Sequence, residues 1–279
     1  MTQNPKAAEP PALHAEMPDG GAGVCCLFIH GLMSSRVQWR LNLDALTSVC
    51  RPVVVELWGH GRSPAPRDPA AYSIEGYIAA FETLRAQLGL DSWFVCGQSF
   101  GAGLALHYAL RHPGRVIGVA FTNSISAMFT PNPDADRKRE AWASAVEHGG
   151  AEAVREIPFH PRFARRFPDA IRAEMLQDAA LIDPGAITMA LRHTMPALSV
   201  LQQIGDLSKP VLLINGRLEA AFQPLRDRAR REMPGIEVVD LEGGHSVNID
   251  CAERFNEALI AFVRKHAMDL VACSGTDGL

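Results

Sequence analysis

The chain has 279 residues, 47% of them apolar, and a formal net charge of −4 at pH 7. That apolar share is ample for a core, and the length suits one large domain carrying an insertion. The negative balance argues against a dedicated nucleic-acid binder, and no apolar run reaches the ~20 residues of a membrane span.

Residues 1–22, rich in Pro, Ala and Gly, read as a flexible arm without the apolar stretch of a signal peptide. Within it, residues 13–17 can form one short edge strand closed by Pro18-Asp19-Gly20-Gly21. Residues 24–29 are an unbroken apolar run, the pattern of a strand buried on both faces of a parallel sheet. The run ends at His30-Gly31-Leu32-Met33-Ser34-Ser35, and an amphipathic helix is expected over 37–46 with Trp39, Leu43 and Leu46 on one side. A second buried strand at 52–57 leads into Trp58-Gly59-His60-Gly61-Arg62-Ser63, and a helix covers 74–88. None of the six cysteines has metal-ligand spacing. Cys25, Cys26 and Cys96 fall in strand-like runs and read as reduced core thiols, which points to the cytoplasm.

The next strand, 93–96, runs into Gly97-Gln98-Ser99-Phe100-Gly101 and straight on into a helix that stops at His112-Pro113-Gly114. A serine at so tight a strand-to-helix turn is strained, and its neighbours two places away on either side must lack bulk. Gly97 and Gly101 meet that need. A further strand follows at 116–121. Strands and helices alternate strictly to this point, which implies crossover units and an α/β fold: a mostly parallel sheet with helices on both faces.

From 126 to 207 the strand pattern stops. Helical patterns occupy 135–147, 151–156, 169–180 and 186–204, in a segment rich in Phe, Met and Arg. It reads as a helical lid inserted over the sheet, the alternative being additional bundle core. Strands resume at 210–216 and 236–241, flanking a helix through 226–233, and the loop Glu242-Gly243-Gly244-His245 precedes a closing helix at 252–266. Residues 267–279 read as a C-terminal tail. The core is thus 23–125 and 208–266.

Five motifs in order resemble the α/β-hydrolase superfamily: His30-Gly31, Trp58-Gly59-His60-Gly61-Arg62-Ser63, Gly97-Gln98-Ser99-Phe100-Gly101, Asn215-Gly216-Arg217-Leu218-Glu219 and Gly243-Gly244-His245. A hydroxyl nucleophile needs an adjacent base, the base needs an orienting acid, and the oxyanion needs donors already in place. Ser99 suits the nucleophile, His245 the base and Glu219 the acid, in the chain order of the superfamily. The superfamily's usual acid resembles an aspartate. Asp206 precedes its strand, Asp240 reads as outward-facing, and Asp250 follows His245 too closely. The resemblance further implies an oxyanion hole made by the backbone N–H groups of Leu32 and Phe100.

Of the other histidines, His60 reads as loop scaffolding, His30 as a structural hydrogen-bonder, and His107 and His112 as lying behind the nucleophile. No histidine pair has metal-ligand spacing, so neither metal nor cofactor is expected. Met33, Gln98, Phe129, Trp142 and Met195 are the candidate substrate-binding residues, with Phe159 and Met175 further candidates from the lid. His160, Arg162, Arg165 and Arg166 can receive an acidic substrate group, though such a cluster more often forms a solvated face. A serine nucleophile tells against the superfamily's dehalogenases and epoxide hydrolases. The expected activity is a serine hydrolase acting on an ester, lactone or thioester of a small-molecule substrate through an acyl-enzyme. Carbon–carbon bond hydrolysis of a diketone-like compound is the alternative, followed by a non-catalytic hydrolase-derived binding protein. No nucleic-acid or membrane partner is expected, and the oligomeric state stays open.

Overall fold

A computed structural model of the chain describes residues 11–21, 23–233 and 235–274. The expected arm and tail therefore lie outside the described residues at 1–10, 22 and 275–279. Seven strands form one sheet: β1 (Ala15–Glu16), β2 (Cys25–Ile29), β3 (Arg51–Val55), β4 (Trp93–Gly97), β5 (Val116–Thr122), β6 (Val211–Gly216) and β7 (Glu237–Leu241). Their spatial order is β1-β3-β2-β4-β5-β6-β7. Only β1 runs antiparallel, with Ala15 opposite Val55, and the remaining pairs are parallel.

The unbroken apolar runs are explained by two cores, one on each face. Leu27, Ile29, Val53, Val55, Val95, Val119 and Leu213 point to one face. Their sequence neighbours Cys26, Phe28, Val54, Cys96, Ala120, Leu212 and Ile214 point to the other, where they meet Trp39, Phe255 and Phe262. Side chains alternate across a strand, so a strand covered on both sides has no polar position to spare. The parallel register brings Ile29, Gly97 and Phe121 abreast, and Gly216 beside Leu241. The turns that follow β2, β4, β5, β6 and β7 therefore gather along a single edge, where open α/β sheets bind ligands.

The helices are α1 (Leu43–Leu46), α2 (Ile74–Gln87), α3 (Phe100–Arg111), α4 (Ile125–Met128), α5 (Pro133–Glu156), α6 (Asp169–Ala179), α7 (Pro184–Met189), α8 (Gln223–Glu232), α9 (Val247–Asp250) and α10 (Ala252–Ser274). Several bounds differ from the sequence reading. The single helix expected over 37–46 is instead a 3-10 turn at Arg36–Trp39 followed by α1. The break holds buried Asn42, whose Nδ2 donates to Asn248 O at 3.0 Å and to Asn256 Oδ1 at 2.8 Å, so this stretch is tied to the closing segment instead of continuing its own ladder. The patterns at 135–147 and 151–156 are two helical stretches as expected, joined within α5 across a kink at Gly150, whose non-helical φ of 57° and ψ of −141° glycine adopts more readily than other residues. The pattern at 186–204 gives only α7, a π turn at Ala190–Thr194 and a 3-10 turn at Met195–Ala197. Pro196 lacks the N–H that a longer helix would need. The closing helix runs beyond 266 to Ser274, into the stretch expected to be tail. Among the described residues, no helix is long and apolar enough to cross a membrane.

Candidate active site

Ser99 joins β4 to α3 with φ 53° and ψ −113°, a positive-φ conformation rare outside glycine. Close packing forces that turn. A Cβ on Gly97 would overlap the Gly101 carbonyl, and one on Gly101 would overlap the Ile29 carbonyl at the end of β2. Ser124, just past β5, donates through its hydroxyl to the Ser99 carbonyl at 2.7 Å. The strain is thus held by three neighbouring strand ends, and it lifts the Ser99 hydroxyl off both elements.

His245 reaches that hydroxyl from the loop after β7, with Nε2 2.8 Å from Ser99 Oγ. Its Nδ1 lies 3.0 and 3.1 Å from the two carboxylate oxygens of Glu219, which assigns the ring proton to Nδ1 and leaves Nε2 to accept from serine. Glu219 follows β6 by three residues, and Gly216 lets the two loops meet, since a Cβ there would overlap the Gly244 carbonyl. Burial pushes the Glu219 carboxyl up, but hydrogen bonds from His245 and Asn123 and the nearby imidazole outweigh it and hold the group below the usual carboxylate range. The carboxylate stays charged and acts as an acceptor for both partners.

The two other acids considered at this edge have separate duties. Asp240 pairs with Arg226 and accepts from Asn215 Nδ2 at 2.8 Å. Asp250 accepts from the Gly244 backbone N–H at 2.7 Å and so braces the loop that carries His245. Asn123, which no sequence motif singles out, braces the acid. Its Nδ2 donates at 2.9 Å both to Glu219 Oε2 and to Gly216 O, while its Oδ1 accepts from Gly216 N–H at 2.9 Å. The available signal was an amide at the end of a strand that neighbours β6 in the sheet.

The turn after β2 carries Leu32 and Met33. Met33 has φ 62°, and Ser34 N–H closes the turn on the Gly31 carbonyl at 3.1 Å. Two buried histidines hold it. His30 accepts from Leu57 N–H through Nε2 at 3.0 Å and donates from Nδ1 to Gly31 O at 2.7 Å. His60 accepts from Met33 N–H at 3.0 Å and donates to Trp58 O at 2.9 Å. Burial lowers His30 to about 3, helped by neighbouring His60, and burial lowers His60 to about 4, so both rings are neutral near pH 7. Each uses both nitrogens on backbone groups and has none left for proton transfer. The backbone N–H groups of Leu32 and Phe100 meet no acceptor among the described residues and border the same cavity as Ser99. His107, by contrast, belongs to α3 and does not border the cavity, its Nε2 lying 3.0 Å from the Ala197 carbonyl.

The cavity above Ser99 holds about 700 Å³. Phe129, Trp142, Phe159, Met175 and Met195 of the inserted segment line it, as do Met33 and Gln98. Met33, Gln98 and Met175 are only 1%, 2% and 2% exposed, so these three form its floor more than its reach toward a ligand. The expected basic cluster divides. His160, Arg165 and Arg166 border the cavity, whereas Arg162 turns away, pairing with Glu156 at 2.6 Å and stacking on Phe163. Lys138 and Arg139 of α5 join the lining unannounced by any motif. Among the described residues no cluster of three or more His, Cys, Asp or Glu side chains is arranged to hold a metal ion.

A family model described as the alpha/beta hydrolase fold matches residues 27–181. The chain is 33% identical over 256 residues to the dihydrolipoyllysine-residue acetyltransferase component of the acetoin cleaving system of Cupriavidus necator, a match covering 88% of this chain and 64% of that protein. Among solved structures, the enol-lactonase from Burkholderia xenovorans LB400 superposes with a TM-score of 0.75 at 23% identity, covering 90% of this chain and 96% of that one. MenH from S. aureus superposes with a TM-score of 0.78 at 16% identity, covering 91% and 98%. These two likenesses concern the fold.

Proposed function

The chain belongs to the α/β-hydrolase family, and we propose that it is a serine hydrolase cleaving an ester, lactone or thioester of a small organic substrate through an acyl-enzyme. One observation carries the reading: the unbroken relay from Ser99 Oγ to His245 Nε2 at 2.8 Å and from His245 Nδ1 to Glu219 at 3.0 Å. Ser99 Oγ attacks the acyl carbon while its proton passes to His245 Nε2, and Glu219 stabilises the imidazolium that forms. The carbonyl oxygen becomes an oxyanion and takes the Leu32 and Phe100 N–H groups. The Phe100 donor also stands at the N-terminus of α3, where the helix dipole favours negative charge. Collapse breaks the bond to the alcohol or thiol, which leaves with the proton from His245. Water then gives a proton to His245 and adds to the acyl carbon. A second collapse frees the carboxylic acid and returns the proton to Ser99.

The segment 126–207 serves as the lid of this site. Its Phe129, Trp142, Phe159, Met175 and Met195 border the cavity over Ser99 and provide apolar walls for the acyl or alcohol part. A fluorophosphonate probe tests the reading directly. It should label the wild-type protein at Ser99, and Ser99→Ala should lose both labelling and roughly 10⁴-fold or more of the rate on an ester panel. A Ser99→Ala protein that keeps most of its activity refutes it.

A further inference from the structure

The inserted segment treats its cations in two ways. Those that do not line the cavity each meet a carboxylate: Arg137 meets Asp134, Arg155 meets Glu152 at 3.8 Å, Arg162 meets Glu156 at 2.6 Å, Arg172 meets Asp169 at 3.4 Å, and Arg192 meets Glu140 and Glu147 at 2.8 Å. Of those that do line it, only Arg139 is so paired, with Asp136. Among the described residues, no carboxylate lies within 4.0 Å of the charged groups of Lys138, Arg165 or Arg166. The two carboxylates that border the cavity are already engaged, Glu219 by His245 and Asn123, and Asp250 by the Gly244 N–H. Those hydrogen bonds do not cancel the carboxylate charges, but Lys138, Arg165 and Arg166 outnumber Glu219 and Asp250 by one, so the cavity keeps a small positive excess on otherwise apolar walls. Arg166 is the best placed of the three. A Cβ on Gly244, one residue from His245, would lie 2.9 Å from its Nη1 and 3.1 Å from Asp250 Oδ2, so the guanidinium shares this corner with a carboxylate it does not pair with.

We propose that the substrate of this site carries a carboxylate, bound by Arg166 with Arg165 and Lys138 supplying the surrounding positive field. The proposal rests on the hydrolase reading above and deepens it. Arg166, Arg165 and Lys138 are all exposed, so they stand at the rim of the cavity, where a guanidinium still offers a planar pair of donors matched to a carboxylate. Lys138 sits with Nζ 5.1 Å from the ring centroid of Trp142, which also lines the cavity.

The test uses two pairs of esters matched in shape and differing in charge. Para-nitrophenyl hexanoate is compared with the mono-para-nitrophenyl ester of adipic acid, and phenyl acetate with para-acetoxybenzoate, so that the acid is offered on either side of the scissile bond. Binding to the Ser99→Ala protein is measured calorimetrically, where nothing is turned over. In at least one pair the acidic ester should bind about tenfold more tightly, in keeping with a charged hydrogen bond at a partly exposed site. Adding Arg166→Gln should abolish that preference, and Arg172→Gln, which lies off the cavity, should keep it. Equal or weaker binding of the acidic ester in both pairs overturns the proposal, as does a preference indifferent to Arg166→Gln. Wild-type turnover is read separately. If neither pair is hydrolysed while the charge preference stands, the catalytic reading falls and the anionic subsite remains.

Discussion

The backbone N–H of Met33 donates to Nε2 of His60 at 3.0 Å, joining two strand-end turns that lie 27 residues apart in the chain. Met33 is held at φ 62°, a conformation that costs a non-glycine residue about 1 kcal/mol or more, and this bond is part of what maintains it. It also leaves Leu32 as the residue of that turn whose N–H is open to the cavity. In the proposed mechanism His60 is thus a positioning residue for Leu32, the first of the two proposed oxyanion donors. His60→Leu keeps the ring's approximate volume and removes the acceptor. It should lower kcat by roughly 10- to 100-fold with little change in KM, a smaller loss than the 10²–10³ typical of deleting a donor outright. Steady-state kinetics on one ester check this, and a change confined to KM would contradict it.

Glu219→Gln keeps the shape of the acid and removes its charge. The imidazolium would lose its counter-charge and His245 the acceptor that selects its tautomer. Turnover should fall by about 10³- to 10⁴-fold with the melting transition close to that of the wild type. Asp240→Asn should retain activity within a few-fold, because that carboxylate is engaged with Arg226 and Asn215 instead. An inactive Asp240→Asn beside an active Glu219→Gln would move the acid elsewhere.

Asn123 touches no part of the relay except the carboxylate and its turn. Asn123→Leu leaves the Gly216 N–H and one Glu219 lone pair without their partners in a buried setting, which costs about 1–3 kcal/mol each. We expect a lower melting temperature and a kcat reduced by about tenfold. The pH–rate profile should shift as well, since losing a donor to the carboxylate raises the Glu219 pKa relative to wild type. Asn123→Asp should be worse than Asn123→Leu, because it sets a second carboxylate against the first.

Stability should fall in acid through the two scaffold histidines. His30 is lowered by burial and by His60 to about 3, and His60 by burial to about 4, from an ordinary 6.5. Below that ordinary value the unfolded chain binds protons that the folded chain refuses. Stability therefore rises with pH across this window, is complete above it, and drains as pH drops toward the folded values. Each histidine adds a slope of up to about 1.4 kcal/mol per pH unit. Glu219, held below its ordinary value, acts in the same direction in stronger acid, because its contribution is lost as the pH falls through its folded pKa. Urea midpoints collected from neutral pH down to about pH 4.5 should show the decline, and His60→Leu should flatten it by about one histidine's share.

Much of this architecture is legible along the chain. A strand covered on both faces must be apolar at every position, and β2, β4 and β5 announce themselves in this way. The strained serine turn is legible as well, because Gly97 and Gly101 are required by backbone contacts within a few residues and against the adjoining strand. Sequence also puts Ser99, Glu219 and His245 each at a strand's C-terminal end, and parallel register then brings them to one edge. What it names is residues whose local conformation or chain position already limits their role.

The rest was decided by packing between distant segments. Asn123 and Glu219 are 96 residues apart, and nothing in either's neighbourhood foretells that one amide will bind both the acid and its turn. Arg162 and Arg166 belong to one basic run, yet the 3-10 turn at Pro161–Phe163 and the pairing of Arg162 with Glu156 send the first outward while the second borders the cavity beside Gly244. Lys138 and Arg139 border that cavity because of how α5 packs on α7 and the π turn that follows it. Which way a side chain on a helix or turn faces depends on what the element packs against, and that contact is a property of the folded chain and not of the local sequence. Sequence determined the fold class and the three candidate catalytic positions. Tertiary structure alone decided how they are braced and which charges their cavity offers a substrate.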